Sequence, residues 1–308
     1  MMKQAKSPVW SKKNTAIRVT GRDRVFYAIV YITVTVFMLL VLIPLLNVLA
    51  SSFSAPNAVA AGKVFIWPVD LSLEGYDAVI HYRGIWTAYA NTIYYTLLGT
   101  AINLIMTVVA AYPLSRRNLP GKAFFTFLFT FTMLFSGGMI PMYIQMKNLH
   151  LLNNRWAMML PGAISVTNMI ICRTFFVNIP YELYEAAEID GCDDFRYLFK
   201  MVLPLSTSVL AVLTLYYAVG HWNAYQDAFI YLTDTNKMPL QVKLREILVM
   251  NSVNMESIAD DETLAAKLGM ADLLKFSLII VSTVPVLILY PFIKRFFAKG
   301  VMLGSLKG

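Results

Sequence analysis

Charge is what this chain has least of. Only 14% of its 308 residues are Asp, Glu, Lys or Arg, against 58% hydrophobic, too little polar material to clothe a soluble core of this size. Two cysteines, Cys172 and Cys192, and three histidines, His81, His150 and His221, are scattered through it. They form no C-x-x-C or H-E-x-x-H pattern, so no metal site is expected. The phosphate-cradling loop G-x-x-x-x-G-K-[ST] is also missing, so no ATP site of that kind is expected in this chain.

Apolar sequence fills the space instead. About 20 helical residues at about 1.5 Å each cross about 30 Å of hydrocarbon, and six runs approach or reach that length without a charge. They are Phe26–Leu49, Asn91–Tyr112, Phe124–Gln145, Trp156–Ile171, Leu203–Gly220 and Phe276–Ile293. Gly137, Gly138 and Pro141 interrupt the third, and Pro161, Pro204 and Pro285 fall in the three shorter ones. A basic leader precedes the first run and the small residues VLASSFSA follow it, as around a secretory signal. At 24 residues, however, the run exceeds the roughly 7–15 of a cleaved signal core, and an uncleaved helix is expected. The fold class is therefore an all-α membrane protein with six transmembrane helices.

Orientation follows from Lys and Arg, which are retained on the cytoplasmic side. With both termini inside, residues 1–24, 113–122, 172–200 and 294–308 are cytoplasmic and hold 17 of the 26 basic residues. Cys172 and Cys192 then lie on the reducing side, where no disulfide is expected. The seven Lys or Arg of the first 24 residues read as a lipid and topology signal, with no nucleic acid implied. Residues 1–24 form a basic segment, 25–297 the transmembrane domain, with a cytoplasmic loop at 178–204 and an outer loop at 221–272, and 298–308 a cytoplasmic tail. The outer loop carries Asp260, Asp261 and Glu262 in an expected amphipathic helix.

The six runs contain no Asp, Glu, Lys, Arg or His. Such groups are costly in a bilayer and mark proton or ion relays, so their absence weighs against a secondary carrier. It suits a path lined by neutral polar and aromatic groups. The candidates are Asn103, Asn168, Tyr216, Tyr217, His221, Trp222 and Asn223, since aromatic faces pack on sugar C–H surfaces while amides and hydroxyls meet the OH groups. The same residues could instead form an interfacial aromatic belt or bond neighbouring helices.

Against this background, the cytoplasmic stretch YELYEAAEIDGCDDFRYLFKMVLP, residues 181–204, concentrates six of the chain's 18 acids: Glu182, Glu185, Glu188, Asp190, Asp193 and Asp194. Pro180 suits the start of a helix, Glu182 and Glu185 favour its positive end, and Gly191 stops it. Leu183, Ala187 and Gly191 share one stripe, small toward its end, which permits close backbone approach. Asp193 or Asp194 caps a second helix, whose Phe195, Leu198, Phe199 and Val202 fall at i, i+3, i+4 and i+7, an apolar face expected to lean on the bundle.

Glu185-Ala186-Ala187, three residues, Gly191, nine residues, then Met201-Val202-Leu203-Pro204 resembles the cytoplasmic loop of the permease subunits of ABC importers. The likeness is to the carbohydrate group related to the maltose transporter's second permease, and it covers roughly residues 90–300. Only Met201 departs, standing where the family has Ile. The resemblance implies a type I ABC importer permease fold, with Glu185, Ala186, Ala187, Gly191, Leu203 and Pro204 in a coupling helix that docks on an ATPase. It also implies a second permease subunit, two ATPase subunits holding ATP and Mg, an extracellular solute-binding protein and an oligosaccharide substrate. The tail Gly304–Gly308 would reach into the ATPase pair. No cofactor and no catalysis are implied in this chain. Permeases for peptides or amino acids would share the pattern. LFSGGM, residues 134–139, resembles the ABC ATPase signature but lies in an apolar run, where two glycines read as a helix break.

If the loop docks in this way, Gly191→Asp places a charge in a close-packed elbow and abolishes ATP-driven uptake while the subunits still assemble. Undiminished uptake by that variant counts against docking.

Overall fold

Thr20 fixes where the first helix begins. Its hydroxyl accepts from the Asp23 amide and the Asp23 carboxylate accepts from the Thr20 amide, a reciprocal cap. From there α1 (Gly21–Ser52) runs for 32 residues, through Pro44. None of its most apolar window is buried against the rest of the chain, as befits a helix apolar on all sides with lipid or another helix for solvent. The structure, a computed structural model, describes residues 20–82, 84–253, 269–288 and 291. The basic leader before Thr20, the acids Asp260, Asp261 and Glu262, and the tail Gly304–Gly308 lie outside the described residues.

After α2 (Pro56–Ala60) and α3 (Glu74–His81) comes α4 (Ile85–Ser115), around which the bundle is built. Thr92, Gly99, Asn103 and Thr107 recur at helical spacing on its buried side. The next run divides into α5 (Lys122–Leu134) and α6 (Met139–Asn148), which meet at 115°. Gly137 and Gly138 form this break, Gly138 at φ +85°, a backbone state that suits glycine. A 3₁₀ turn at Arg155–Met158 leads to α7 (Val166–Val177).

The loop after α7 forms α8 (Glu182–Ile189) and α9 (Asp194–Tyr197). A π-helical turn at Leu198–Val202 and α10 (Leu203–Leu205) continue it, before an 81° bend into α11 (Thr207–Trp222). Beyond lie α12 (Gln226–Tyr231), a 3₁₀ turn at Thr235–Lys237, α13 (Leu240–Val253) and α14 (Gly269–Ile288). Among the described residues there is no strand, only an isolated bridge between Ser54 and Leu71. α7 and α11 both pack on α4.

Two of the six runs take a different course from the one their composition suggests. The fourth, expected as a helix over Trp156–Ile171, is a 3₁₀ turn followed by irregular chain through Pro161 and Gly162, and its helix starts only at Val166. The fifth begins its straight helix at Thr207, because Pro204 has no amide to donate to Lys200 and the chain bends at once after it. Leu203 and Pro204 thus belong to the arm below the bend.

Gly99 of α4 lies directly against the His221 side chain of α11, where an added Cβ would sit 2.5 Å from Nε2. Gly99→Ala therefore displaces the imidazole and breaks its bond to Asn103. The expected net loss is about 1–2 kcal/mol despite the better helix propensity of alanine. A lowered Tm of the purified assembly shows this, and an unchanged or raised Tm contradicts the close approach.

Candidate functional site

The elbow between α7 and α11 starts from a helix stop that the sequence dictates. Gly191, at φ +73°, ends α8 with its amide bonded to the Glu188 carbonyl, and the Cys192 amide closes on the Ala187 carbonyl. This paired closure needs a left-handed residue, and glycine takes it without strain. Asp193 then caps α9, its carboxylate accepting from the Arg196 amide at 2.7 Å.

The neighbouring Asp194 turns the other way, toward the end of α4. Its carboxylate accepts from the Tyr112 hydroxyl at 2.9 Å and lies 3.4 Å from the Arg116 guanidinium. That guanidinium sits 3.4 Å from the centre of the Tyr184 ring, with Tyr112 and Tyr197 flanking it at 5.7 and 5.4 Å. Arg117 covers Tyr181 at 4.1 Å. Burial holds the Tyr197 phenol above its ordinary pKa, with the Arg116 charge acting against the shift. One cation thus clamps α8 and α9 to α4 through three aromatic faces and a carboxylate. A cavity of about 410 Å³ opens beside this clamp, between α4, the link at Arg117–Pro120 and α9.

Of the coupling residues, Glu185 and Ala186 are on the exposed face of α8 with Glu182 and Glu188, Ala187 is buried against the bundle, and Gly191 is exposed. Nothing in the chain lies within 4 Å of a Cβ built on Gly191. The elbow is not close-packed there within the chain, and its glycine is required by φ. Leu203 is half-buried and Pro204 exposed. The apolar face expected of α9 is split, because Leu198 and Val202 are buried while Phe195 and Phe199 are 77% and 63% exposed. Phe195 and Phe199 lie four residues apart on the outer side and Leu198 and Val202 four apart on the buried side, with the π turn running through Leu198–Val202. Ile189, at 86% exposure, joins the two phenylalanines on the outer surface of the elbow.

At the far end of the bundle, the path candidates divide by face. Asn103 donates to the Gly162 carbonyl at 2.5 Å and accepts from His221 Nε2 at 2.6 Å. Tyr217 shares a 2.7 Å bond with Thr107 and accepts from the Ser165 amide at 3.4 Å. Trp222 donates to the Ser282 carbonyl of α14. These four spend their polar atoms inside the chain. Asn168 is half-buried. Tyr216, Gly220 and Asn223 form a separate exposed stripe at i, i+4 and i+7 along α11. That stripe runs toward a cleft of about 400 Å³ lined by Asn223, Tyr225, α13 and α14. On α12, burial raises the Asp227 carboxyl above its ordinary pKa, with His221 opposing the shift. Among the described residues no group of His, Cys, Asp and Glu could hold a metal.

Sequence reasoning missed Tyr112, Arg116, Tyr184 and Tyr197. Arg116 was counted only toward topology, yet three tyrosines at 181, 184 and 197 beside an Arg pair were a readable sign of a cation–aromatic cluster.

Residues 84–303 match the family described as binding-protein-dependent transport system inner membrane component. The chain is 40% identical over 287 residues to the polygalacturonan/rhamnogalacturonan transport system permease protein YtcP of Bacillus subtilis, covering 93% of this chain and all of that one. It is 26% identical to the arabinooligosaccharides transport system permease protein AraQ of Halalkalibacterium halodurans, covering 86% and 91%. A chain in the crystal structure of a bacterial ABC transporter involved in the import of the acidic polysaccharide alginate is 34% identical. It superposes with a TM-score of 0.81 over 94% of this chain and 100% of that one.

Arg116→Ala removes the clamp, about 2 kcal/mol of partly desolvated cation–aromatic attraction. Amide hydrogen exchange over α8 and α9 should quicken by roughly tenfold or more, with α4 itself unchanged. Unaltered exchange in the elbow contradicts the clamp.

Proposed function

Because the chain belongs to the binding-protein-dependent transport system inner membrane components, we propose that it forms one half of the path of an ATP-driven importer for an oligosaccharide. The observation that carries this reading is the elbow. A cation-clamped helix pair, bonded to the central helix α4, presents Glu185, Ala186, Gly191, Ile189, Phe195 and Phe199 on a face that the chain itself leaves exposed. Such a face suits a groove on an ATPase subunit, with Ala186 and Gly191 allowing close approach, Glu185 meeting a base on the partner and the apolar side chains filling pockets.

Both termini are cytoplasmic in this reading, which puts the elbow with its ATPase partners inside the cell and the Asn223 cleft outside. The complex contains a second, different permease, two ATPase subunits carrying ATP and Mg, and an extracellular solute-binding protein. This chain performs no catalysis. The stripe Tyr216, Gly220 and Asn223 of α11, together with Asn168 of α7, lines the sugar path. Asn103, Tyr217, His221 and Trp222 hold its wall in shape. The carbohydrates named for YtcP and AraQ support a sugar over a peptide or amino acid, and the six apolar runs, free of Asp, Glu, Lys, Arg and His, support ATP over an ion gradient as the energy source.

In vesicles holding the whole importer, Tyr216→Ala combined with Asn223→Ala removes a ring face and an amide from the stripe. Sugar uptake should fall by about tenfold, equivalent to about 1.4 kcal/mol, with the amount of assembled complex unchanged. Unchanged uptake removes the stripe from the path.

A further inference from the structure

We propose that the transported oligosaccharide is acidic, and that Arg245 and Lys275 in the outer cleft read its carboxylates; this rests on the sugar-path reading above. The cleft lies where the stripe of α11 ends. Asn223, Tyr225, Gln241 and Thr283 supply the amides, ring face and hydroxyl that any sugar site uses, and Arg245 of α13 and Lys275 of α14 add two cations from separate helices.

Neutral sugars offer such cations only single hydroxyl oxygens, whereas a uronic acid unit carries on each ring a planar carboxylate that takes a stronger, forked, charge-assisted pair of bonds. Arg245 is exposed, and its guanidinium carbon lies 5.3 Å from the Tyr225 ring centre and 5.2 Å from that of Phe229. Two rings within cation–aromatic range hold the guanidinium beside the cleft, and its N–H donors suit a forked bond to a carboxylate. Tyr225 then serves twice, bracing the cation and offering its ring to the sugar.

Lys275 Nζ lies 3.8 Å from Asp272 Oδ1, with both side chains about half exposed. A pair this long and wet is weak, and a sugar carboxylate can exchange for Asp272. The other basic residue of α13 near the cleft, Lys243, is held at 2.7 Å by Glu246 and does not line the cleft. Among the described residues that line the cleft, Arg245 and Lys275 are the two cations.

The test uses the complete importer in phosphatidylcholine vesicles, which keeps anionic lipid headgroups out of competition. ATP-driven uptake of an oligogalacturonate is compared with that of the same oligomer after part of its carboxyls are reduced to hydroxymethyl groups. The acidic form should be preferred. Arg245→Gln and Lys275→Gln should each lower the ratio of acidic to reduced uptake by about tenfold, and Arg245→Lys should retain part of it. Lys147→Gln, which removes an exposed cation outside the cleft, should leave the ratio as it was. A partly reduced oligomer carried as well as the acidic one overturns the inference, as does a ratio that neither cleft variant moves or that Lys147→Gln lowers equally. Uptake of neither oligomer, with ATP hydrolysis intact, overturns the sugar reading and the inference with it.

Discussion

Irregular backbone inside an apolar bundle must find hydrogen-bond partners, and here one helix provides them. Each backbone group left without a partner in hydrocarbon costs several kcal/mol. The polar side of α4 answers this at two levels. Asn103 bonds the Gly162 carbonyl in the break before α7. Nearer its start, Asn91 donates to the carbonyls of Asn236 and Met238, Tyr95 to that of Lys237, and Thr92 accepts from the Leu240 amide. The chain can therefore afford a short α7 and a non-helical link ahead of α13, because α4 holds both.

The same helix carries the connection between the two ends of the molecule. At one end Tyr112 and Arg116 grip Asp194 and the tyrosines of the elbow; at the other, Asn103 and Gly99 receive His221 at the top of α11. The arm α9–α10 leads directly into α11 through the bend at Ser206. A displacement of the elbow is thus delivered to two packed helices together, and α11 is the helix that carries the exposed stripe Tyr216, Gly220 and Asn223. Packed elements of this kind shift as units.

Much of this was legible in the residues. The charge-free runs lie within α1 and α4, which extend three to six residues further at each end, Gly137 and Gly138 announce the break in the third run, and Gly191 and Asp193 set the turn of the elbow through local chemistry alone. What could not be read depended on partners far along the chain. Composition makes Trp156–Ile171 look like a span, and only Asn103, 59 residues away, and Tyr217 explain how its first part is tolerated unwound. Likewise the spacing of Phe195, Leu198, Phe199 and Val202 assumed an unbroken α-helical turn, which the π turn before Pro204 does not provide. Residue type singles out Asn103, Tyr217, His221 and Trp222, but type does not say which way a side chain faces.

The most direct measurement is a distance within this one chain. With Cys192 replaced by Ser, spin labels at Glu188 on the exposed face of α8 and Ile105 on the exposed face of α4 report whether the clamp survives the transport cycle. Between the nucleotide-free and ATP-bound importer, a rigid lever keeps that distance constant to within about 1 Å while α11 of this chain moves relative to the other permease. A change of several ångströms between the two labels would show the elbow sliding on α4 and contradict a lever built on the Arg116 clamp.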